Sequence, residues 1–320
     1  MPSQDVDQED MKRKPLAIFI GLVLGLISLI FGAVAGVPAI LFSYYGLYIV
    51  NRSDGVLTGA RWAVAGMILG CVGTLITTVG IAAVLILRLE ATSNRAGCQN
   101  HFRLVGLGLL EYADTYEHFP AATRDPIGLE PARRLSWMTE ILPLLGEGTK
   151  ANASYRELAG RLDRSAAWDA PANAAIGAVP VRPFLCPAHP QYSPHKSPGF
   201  THFVGLSGDG ADAAHLKRQD GRAGVFGHDR GIARREAQAG ISNTLTVAET
   251  TDENGPWIAG DQPTVRGIPN TNWVIGPGRP FGGSHRGFMH ALWLDGSVRP
   301  MNEETPGELV RRMARLHARE

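Results

Sequence analysis

The chain has 320 residues, 44% hydrophobic and 19% charged, with a formal net charge of +1. That length accommodates one large domain or two modest ones, and the near-neutral balance excludes nucleic-acid binding through a strongly basic face. The 38 glycines and 21 prolines point to a turn-rich soluble part, while the apolar residues are concentrated near the N-terminus.

A polar tail, 1–14, precedes a membrane module at 15–88. Residues 16–50 and 62–87 contain no charged side chain, and apolar runs of this length read as membrane-spanning helices, because a helix satisfies its own backbone groups in lipid. As one helix the first run would be about 52 Å long, against a hydrocarbon core of about 30 Å. "GAVAGVP" lies in its middle, and Pro38 lacks the backbone donor that a continuing helix needs. A hinged hairpin, with 16–31 going out and 37–50 returning, is therefore expected, with a re-entrant segment or one tilted helix as the alternatives. Gly21 and Gly25, Gly32 and Gly36, and Gly66 and Gly70 have the spacing that lets membrane helices approach closely, although glycine is common in such helices generally. Lys12, Arg13, Lys14, Arg52, Arg61, Arg88 and Arg95 divide equally well between a two-span and a three-span scheme, so charge does not choose the topology.

The soluble part is read as 89–320. Cys98, Phe102, Val105, Leu109, Tyr112 and Tyr116 recur at steps of four and three, one face of a helix of about five turns that Pro120 would stop. Short β-prone runs follow, "THFVGL", "TLTVAE" and "HALWL", separated by Gly, Pro and Asp clusters. The expected fold is α+β: transmembrane helices, then a long amphipathic helix packed on a mainly antiparallel sheet. "TPGELVRRMARLHARE" reads as a closing helix over 305–319, with Thr305 as N-cap and Glu308 completing a capping box. Leu309, Met313 and Leu316 form its apolar side, and Arg311, Arg312, Arg315 and Arg319 a solvated basic one.

Several residue sets are of types that carry chemistry. Cys98 and Cys186 are the only cysteines of the soluble part; they form either one disulfide or two unrelated buried thiols. Cys186, His189, His195 and His202 are of zinc-binding types, but without a Cys-x2-Cys pair and in a proline-splayed loop they read as a surface connection. Asp209 and Asp212 in "GDGADAAH" offer hard oxygens to calcium but lack the alternation of a full calcium loop. Ser207 and Ser242 miss the Gly-x-Ser-x-Gly elbow. Glu249, Asp252 and Glu253 close a strand, where carboxylates are usually solvated or paired with arginine. No phosphate cradle or cofactor motif is present. In "HRGFMHALWLDGSV" the Asp295-Gly296 pair signals a type I′ hairpin turn. The strand before it would carry Phe288, His290, Leu292 and Leu294 on one face and Met289, Ala291 and Trp293 on the other. In an extended strand His285 and Asp295 would lie roughly 33 Å apart, too far for one metal ion, so both read as structural and His285 as a loop residue bonded locally.

"CQNHFRLVGLGLLEYADTYEHFPAA", "RLSWMTEILPLL", "PFLCP", "THFVGL", "GVFG", "GISNTLTVAE", "GPW" and "HRGFMHALWLDGSVR" occur in an order that resembles a large bacterial family of unknown function. That family is known for a prepilin-like head and a C-terminal His-x9-Asp-Gly box, here His285, Asp295 and Gly296. The N-terminal part resembles a separate small membrane module, also of unknown function. The resemblance implies a pseudopilin-like head outside the cytoplasm and favours three membrane segments. One departure stands out: the family's Gly-Phe-Thr-Leu-Ile-Glu entrance to the membrane is replaced by "GTLITTVGIAAVLILRLEA", with Glu90 beyond the apolar run. Prepilin processing and polymerisation are therefore not expected.

The expectation is a non-enzymatic protein of the bacterial inner membrane. Its extracytoplasmic head would present an interaction surface to envelope protein partners in secretion or surface assembly, with lipid as the other partner. The alternative is a binding module for solute or glycan, stacking its ligand on Trp257 and Trp273. A hydrolase would require Glu249, His285 and Asp209 to converge in a cleft.

Overall fold

The computed structural model describes residues 14–53, 56–124, 128–146, 150–190, 199–252 and 254–317. Two compact units divide the chain, Met1–Glu90 and Ala91–Glu320.

The first unit contains α1 (Leu16–Phe31), α2 (Ala33–Asn51) and the first half of α3 (Ala60–Tyr116). The hinge between α1 and α2 is Gly32, with φ +58°, and not the proline: Pro38 sits inside α2. A Cβ at Gly32 would also run into the Thr77 side chain, so only glycine both turns the chain and admits α3. The spaced glycines are points of close approach. A Cβ at Gly25 would meet the Gly66 carbonyl oxygen at 2.9 Å, one at Gly36 the Gly70 carbonyl oxygen at 2.7 Å, and one at Gly66 the Gly21 carbonyl oxygen at 3.0 Å. Ser28 strengthens the seam by donating to the Leu69 carbonyl at 3.0 Å. Two helices, α2 and α3, are long and apolar enough to cross a membrane; α1 is a shorter apolar helix.

The second unit receives the rest of α3. The polar "EATSNRAG" stretch does not interrupt this helix, and Cys98, Phe102, Val105 and Leu109 on the anticipated face are buried. Tyr116, at its end, is exposed. A two-stranded ribbon, β1 (Thr123–Arg124) with β2 (Leu135–Ser136), and the short helices α4 (Trp137–Ile141), α5 (Lys150–Gly160) and α6 (Pro171–Gly177) follow. The main sheet comprises β3 (Phe203–Asp209), β4 (Leu245–Glu249), β5 (Val265–Ile268), β6 (Phe288–Trp293) and β7 (Val298–Asn302), in the order β5-β3-β4-β6-β7. Every neighbouring pair is antiparallel except β3 with β5.

Strand alternation sends side chains to two cores. Phe203, Val247 and Leu292 join Phe102, Val105 and Leu109 of α3 in one. Val204, Leu206, Ala248, Met289, Ala291 and Trp293 fill the other, which also holds Val310 and Ala314. Strand β6 is therefore covered on both faces, as its two-sided apolar pattern anticipates.

Two local expectations are corrected. The β6–β7 turn is not type I′. Asp295 keeps a negative φ, Gly296 has φ +81°, and Trp293 N–H donates to the Ser297 carbonyl at 2.9 Å across a three-residue loop. Asp295 Oδ1 accepts from Ser297 N–H at 2.9 Å, which favours this three-residue loop over the two-residue turn. The closing helix, α7 (Gly307–Met313), is shorter than 305–319, and neither Thr305 nor Glu308 caps it. Leu309 is exposed, whereas Val310, Ala314 and Leu316 are buried. Arg311 and Arg315 are not a solvated face: both point at Asp209, where β3 ends. Arg319 lies outside the described residues.

Candidate functional site

Four buried side chains from four separate segments of the second unit meet at one point: Cys98, Cys186, Glu249 and His285. Their donor atoms all lie within 4.8 Å of one another. Cys98 arrives on the buried face of α3, placed by the same periodicity that buries Phe102 and Val105. His101, one turn along, fixes the loop opposite through a 2.6 Å contact between Nδ1 and the Leu185 carbonyl. Cys186 follows directly, and its N–H donates to His202 Nδ1 at 2.9 Å. Glu249 closes β4, the one carboxylate in an otherwise uncharged, fully buried strand. His285 precedes β6, folded back by Gly287 at φ +81° and bridged to Phe288, on whose ring it stacks at 5.2 Å.

The contacts are specific. Cys98 Sγ donates to Glu249 Oε1 at 2.6 Å. His285 Nε2 lies 3.5 Å from that same oxygen and 3.5 Å from Cys186 Sγ. Glu249 Oε2 accepts the His290 backbone N–H at 2.6 Å. Gly283 leaves room for the carboxylate, since a Cβ there would meet Oε2 at 2.5 Å.

Burial pushes the Cys98 thiol up, reinforced by its hydrogen bond with Cys186 and by the Glu249 charge. Cys186 is lowered, chiefly by the Cys98 thiol and then by His285, against burial. Burial alone would raise Glu249, but contacts with His285 and His290 outweigh it and hold the carboxyl below the usual range. For His285 burial works downward, and the contacts with Cys186 and Glu249 win, raising the imidazole to about 9. These shifts favour a carboxylate at Glu249 and an imidazolium at His285, keep a proton on Cys98 and move Cys186 toward its thiolate.

This arrangement does not resemble a nucleophilic triad. A triad uses the two imidazole nitrogens separately, one facing the nucleophile and one the orienting carboxylate. Here Nε2 faces both Cys186 and Glu249. Glu249 is 1% exposed and Cys98 0%, so no substrate reaches them without the head opening. What the cluster offers is two sulfurs, a nitrogen and an oxygen converging in a closed interior.

The sequence-derived candidates are redistributed. Cys98 and Cys186 do come together, as free thiols. Of the described residues of the loop set, Cys186 alone joins the cluster. His202 spends Nδ1 on the Cys186 backbone and stacks with His189 at 3.9 Å, and His195 lies outside the described residues. Asp209 is clasped by Arg311 and Arg315, and Asp212 by Arg222 at 2.9 Å and 3.0 Å, so arginines hold the proposed calcium ligands. Phe203 pairs with Glu249, which puts Asp209 six residues along β3, about 20 Å away, and the hydrolase constellation does not converge. Trp257 is fully buried and donates its indole N–H to the Val179 carbonyl at 2.9 Å; it cannot serve as a sugar platform. Trp273 is half exposed. Glu253 lies outside the described residues.

The two halves of the His-x9-Asp-Gly box do different jobs at opposite ends of β6. Asp295 and Gly296 form the turn, and Gly296 lies against Leu110 of α3. His285 does not bond only locally; its ring enters the cluster. Glu249 is the residue that sequence reasoning undervalued, since its partners are neither solvent nor arginine. The available signal was a carboxylate closing a strand with no other charge.

No curated protein and no solved structure matches the chain. A family model does match residues 92–279, a span containing Cys98, Cys186 and Glu249 and ending just before His285. On that match, the chain belongs to the bacterial family described as protein of unknown function (DUF1559).

Proposed function

We propose that this is a membrane-anchored, non-enzymatic envelope protein whose pseudopilin-like head presents an interaction surface outside the cytoplasm. The observation that carries this reading is α3, one helix from Ala60 to Tyr116 with two different surfaces. In its first half Leu75, Ile76, Val79, Ile81, Val84, Leu85, Ile86 and Leu87 are all exposed, which suits lipid and not water. Its last turns carry Cys98, Phe102, Val105 and Leu109, buried in the core of the second unit. Beyond residue 90 the exposed large hydrophobics among the described residues are Leu107, Tyr116, Val179, Trp273 and Leu309, as expected of a water-facing body.

Three apolar helices carry the chain across an odd number of times, so the head lies on the side opposite Lys12, Arg13 and Lys14, which precede the first helix. The 16 residues of α1 span about 24 Å, within reach of a locally thinned bilayer. A closed cluster without substrate access supports a non-catalytic head. The glycan reading keeps only Trp273, since Trp257 is enclosed. The test is labelling of Glu308→Cys, an exposed position, with a membrane-impermeant maleimide. Labelling in spheroplasts is expected; labelling only after lysis would place the head in the cytosol and end this proposal.

A further inference from the structure

We propose that Cys98, Cys186, Glu249 and His285 together bind one zinc(II) ion as a structural site inside the head. The inference goes beyond the envelope role and does not depend on which side of the membrane the head occupies.

Geometry is the first argument. Zinc with sulfur ligands near 2.3 Å and nitrogen or oxygen near 2.0–2.1 Å requires tetrahedral edges of about 3.3–3.8 Å. The Cys186 Sγ to His285 Nε2 edge is 3.5 Å and the His285 Nε2 to Glu249 Oε1 edge is 3.5 Å. No pair of the four donor atoms exceeds 4.8 Å, so no edge needs to close by more than about 1.5 Å. The Cys98 to Glu249 edge, 2.6 Å, must open by less than about 1 Å. Side-chain rotation covers such shifts without moving a strand.

Donor chemistry is the second argument. Two thiols and an imidazole select against calcium and magnesium, which take oxygen shells. An iron–sulfur cluster of the usual kind is held by four cysteines. Two sulfurs, one nitrogen and one carboxylate oxygen in four-fold convergence suit zinc.

The surroundings are the third argument. Metal ligands are normally oriented by partners of their own, and each of three ligands here has one. Glu249 turns Oε2 to the His290 N–H, leaving Oε1 toward the cluster. Cys186 is held through its backbone by His202. The His285 ring is fixed against Phe288, whose ring also lies 4.5 Å from the Arg95 guanidinium. Four protein ligands in a buried interior leave no position for substrate, so the ion would be a staple. It would join α3 to β4 and to the loops before β3 and β6, contacts distant in sequence that are otherwise slow to form.

The test uses the full chain in detergent, stripped with chelator under reducing conditions and titrated with Co(II) and then Zn(II). One Co(II) per chain is expected, with thiolate charge-transfer bands and the visible bands of four-coordinate cobalt, displaced by one equivalent of Zn(II). Cys98→Ser and Cys186→Ser should abolish the bands, His285→Asn should weaken binding at least tenfold, and Cys71→Ser should change nothing. If the cysteine variants do not fold, alkylation of wild type decides. Zinc should shield both head thiols and chelator should release them. Absence of cobalt bands while both thiols titrate as free would overturn the proposal. So would a Cys98–Cys186 disulfide in protein isolated without reductant, or bands that survive His285→Asn unchanged.

Discussion

Replacing Asp209 by alanine tests whether the C-terminal segment is held by a buried ionic clasp. The Asp209 side chain is 13% exposed, and its partners Arg311 and Arg315 are 10% and 14% exposed. Removing one member of a buried pair typically costs about 3–5 kcal/mol, because the remaining charge stays desolvated. Arg311 would retain the carbonyls of Pro269 and Thr271 at 3.1 Å and 2.8 Å, whereas Arg315 aims both Nε and Nη2 at Asp209. The expected loss is therefore about 2–4 kcal/mol, or a midpoint lower by about 5–15 °C for a body of this size. The assay is thermal unfolding of the full chain in detergent by near-UV circular dichroism, to which the buried Trp137 and Trp257 contribute. Asp212→Ala is the matched control: the same kind of pair, with Arg222, but at 58% and 38% exposure, and its midpoint should not move. Equal midpoints for wild type and both variants would refute the reasoning, as would an equal fall in the control.

Gly296→Ala should destabilise the head by about 1–2 kcal/mol in urea titration, since φ is +81° and the new Cβ would meet Leu110 Cδ1 at 2.7 Å. Gly287→Ala has the same φ but open space and should lose less; the reverse order would contradict the packing argument. His228 is 2% exposed, and burial lowers its imidazole despite Asp261 at 3.5 Å. A depressed histidine binds its proton more readily unfolded, so its contribution is present above about pH 6.5 and lost as pH falls through the folded value. His228→Gln should accordingly flatten the acid limb of the stability profile, and an unchanged slope would count against this assignment.

Much of the architecture is legible along the chain because it follows local periodicity. The buried face of α3 is visible in Cys98, Phe102, Val105 and Leu109, and the two-sided burial of β6 in its unbroken apolar run. Boundaries are less legible, because competing local signals are close in energy. Gly32 and Pro38 both mark a hinge, and the decision goes to the residue that must also admit Thr77. Thr305 and Glu308 spell a capping box that the observed helix does not use.

The sequence by itself determined the apolar helices, the mixed α+β head and the turn at Asp295-Gly296, since each depends on neighbours a few residues apart. Only the tertiary structure decided that Cys98, Cys186, Glu249 and His285 belong together, because they come from a helix, a loop, a strand end and a turn. No spacing rule links them: their distances along the chain reflect how the sheet is threaded, and their distances in space reflect how it packs on α3. The same holds for Arg311 and Arg315, which read as a solvated face until β3 delivers Asp209 beside them.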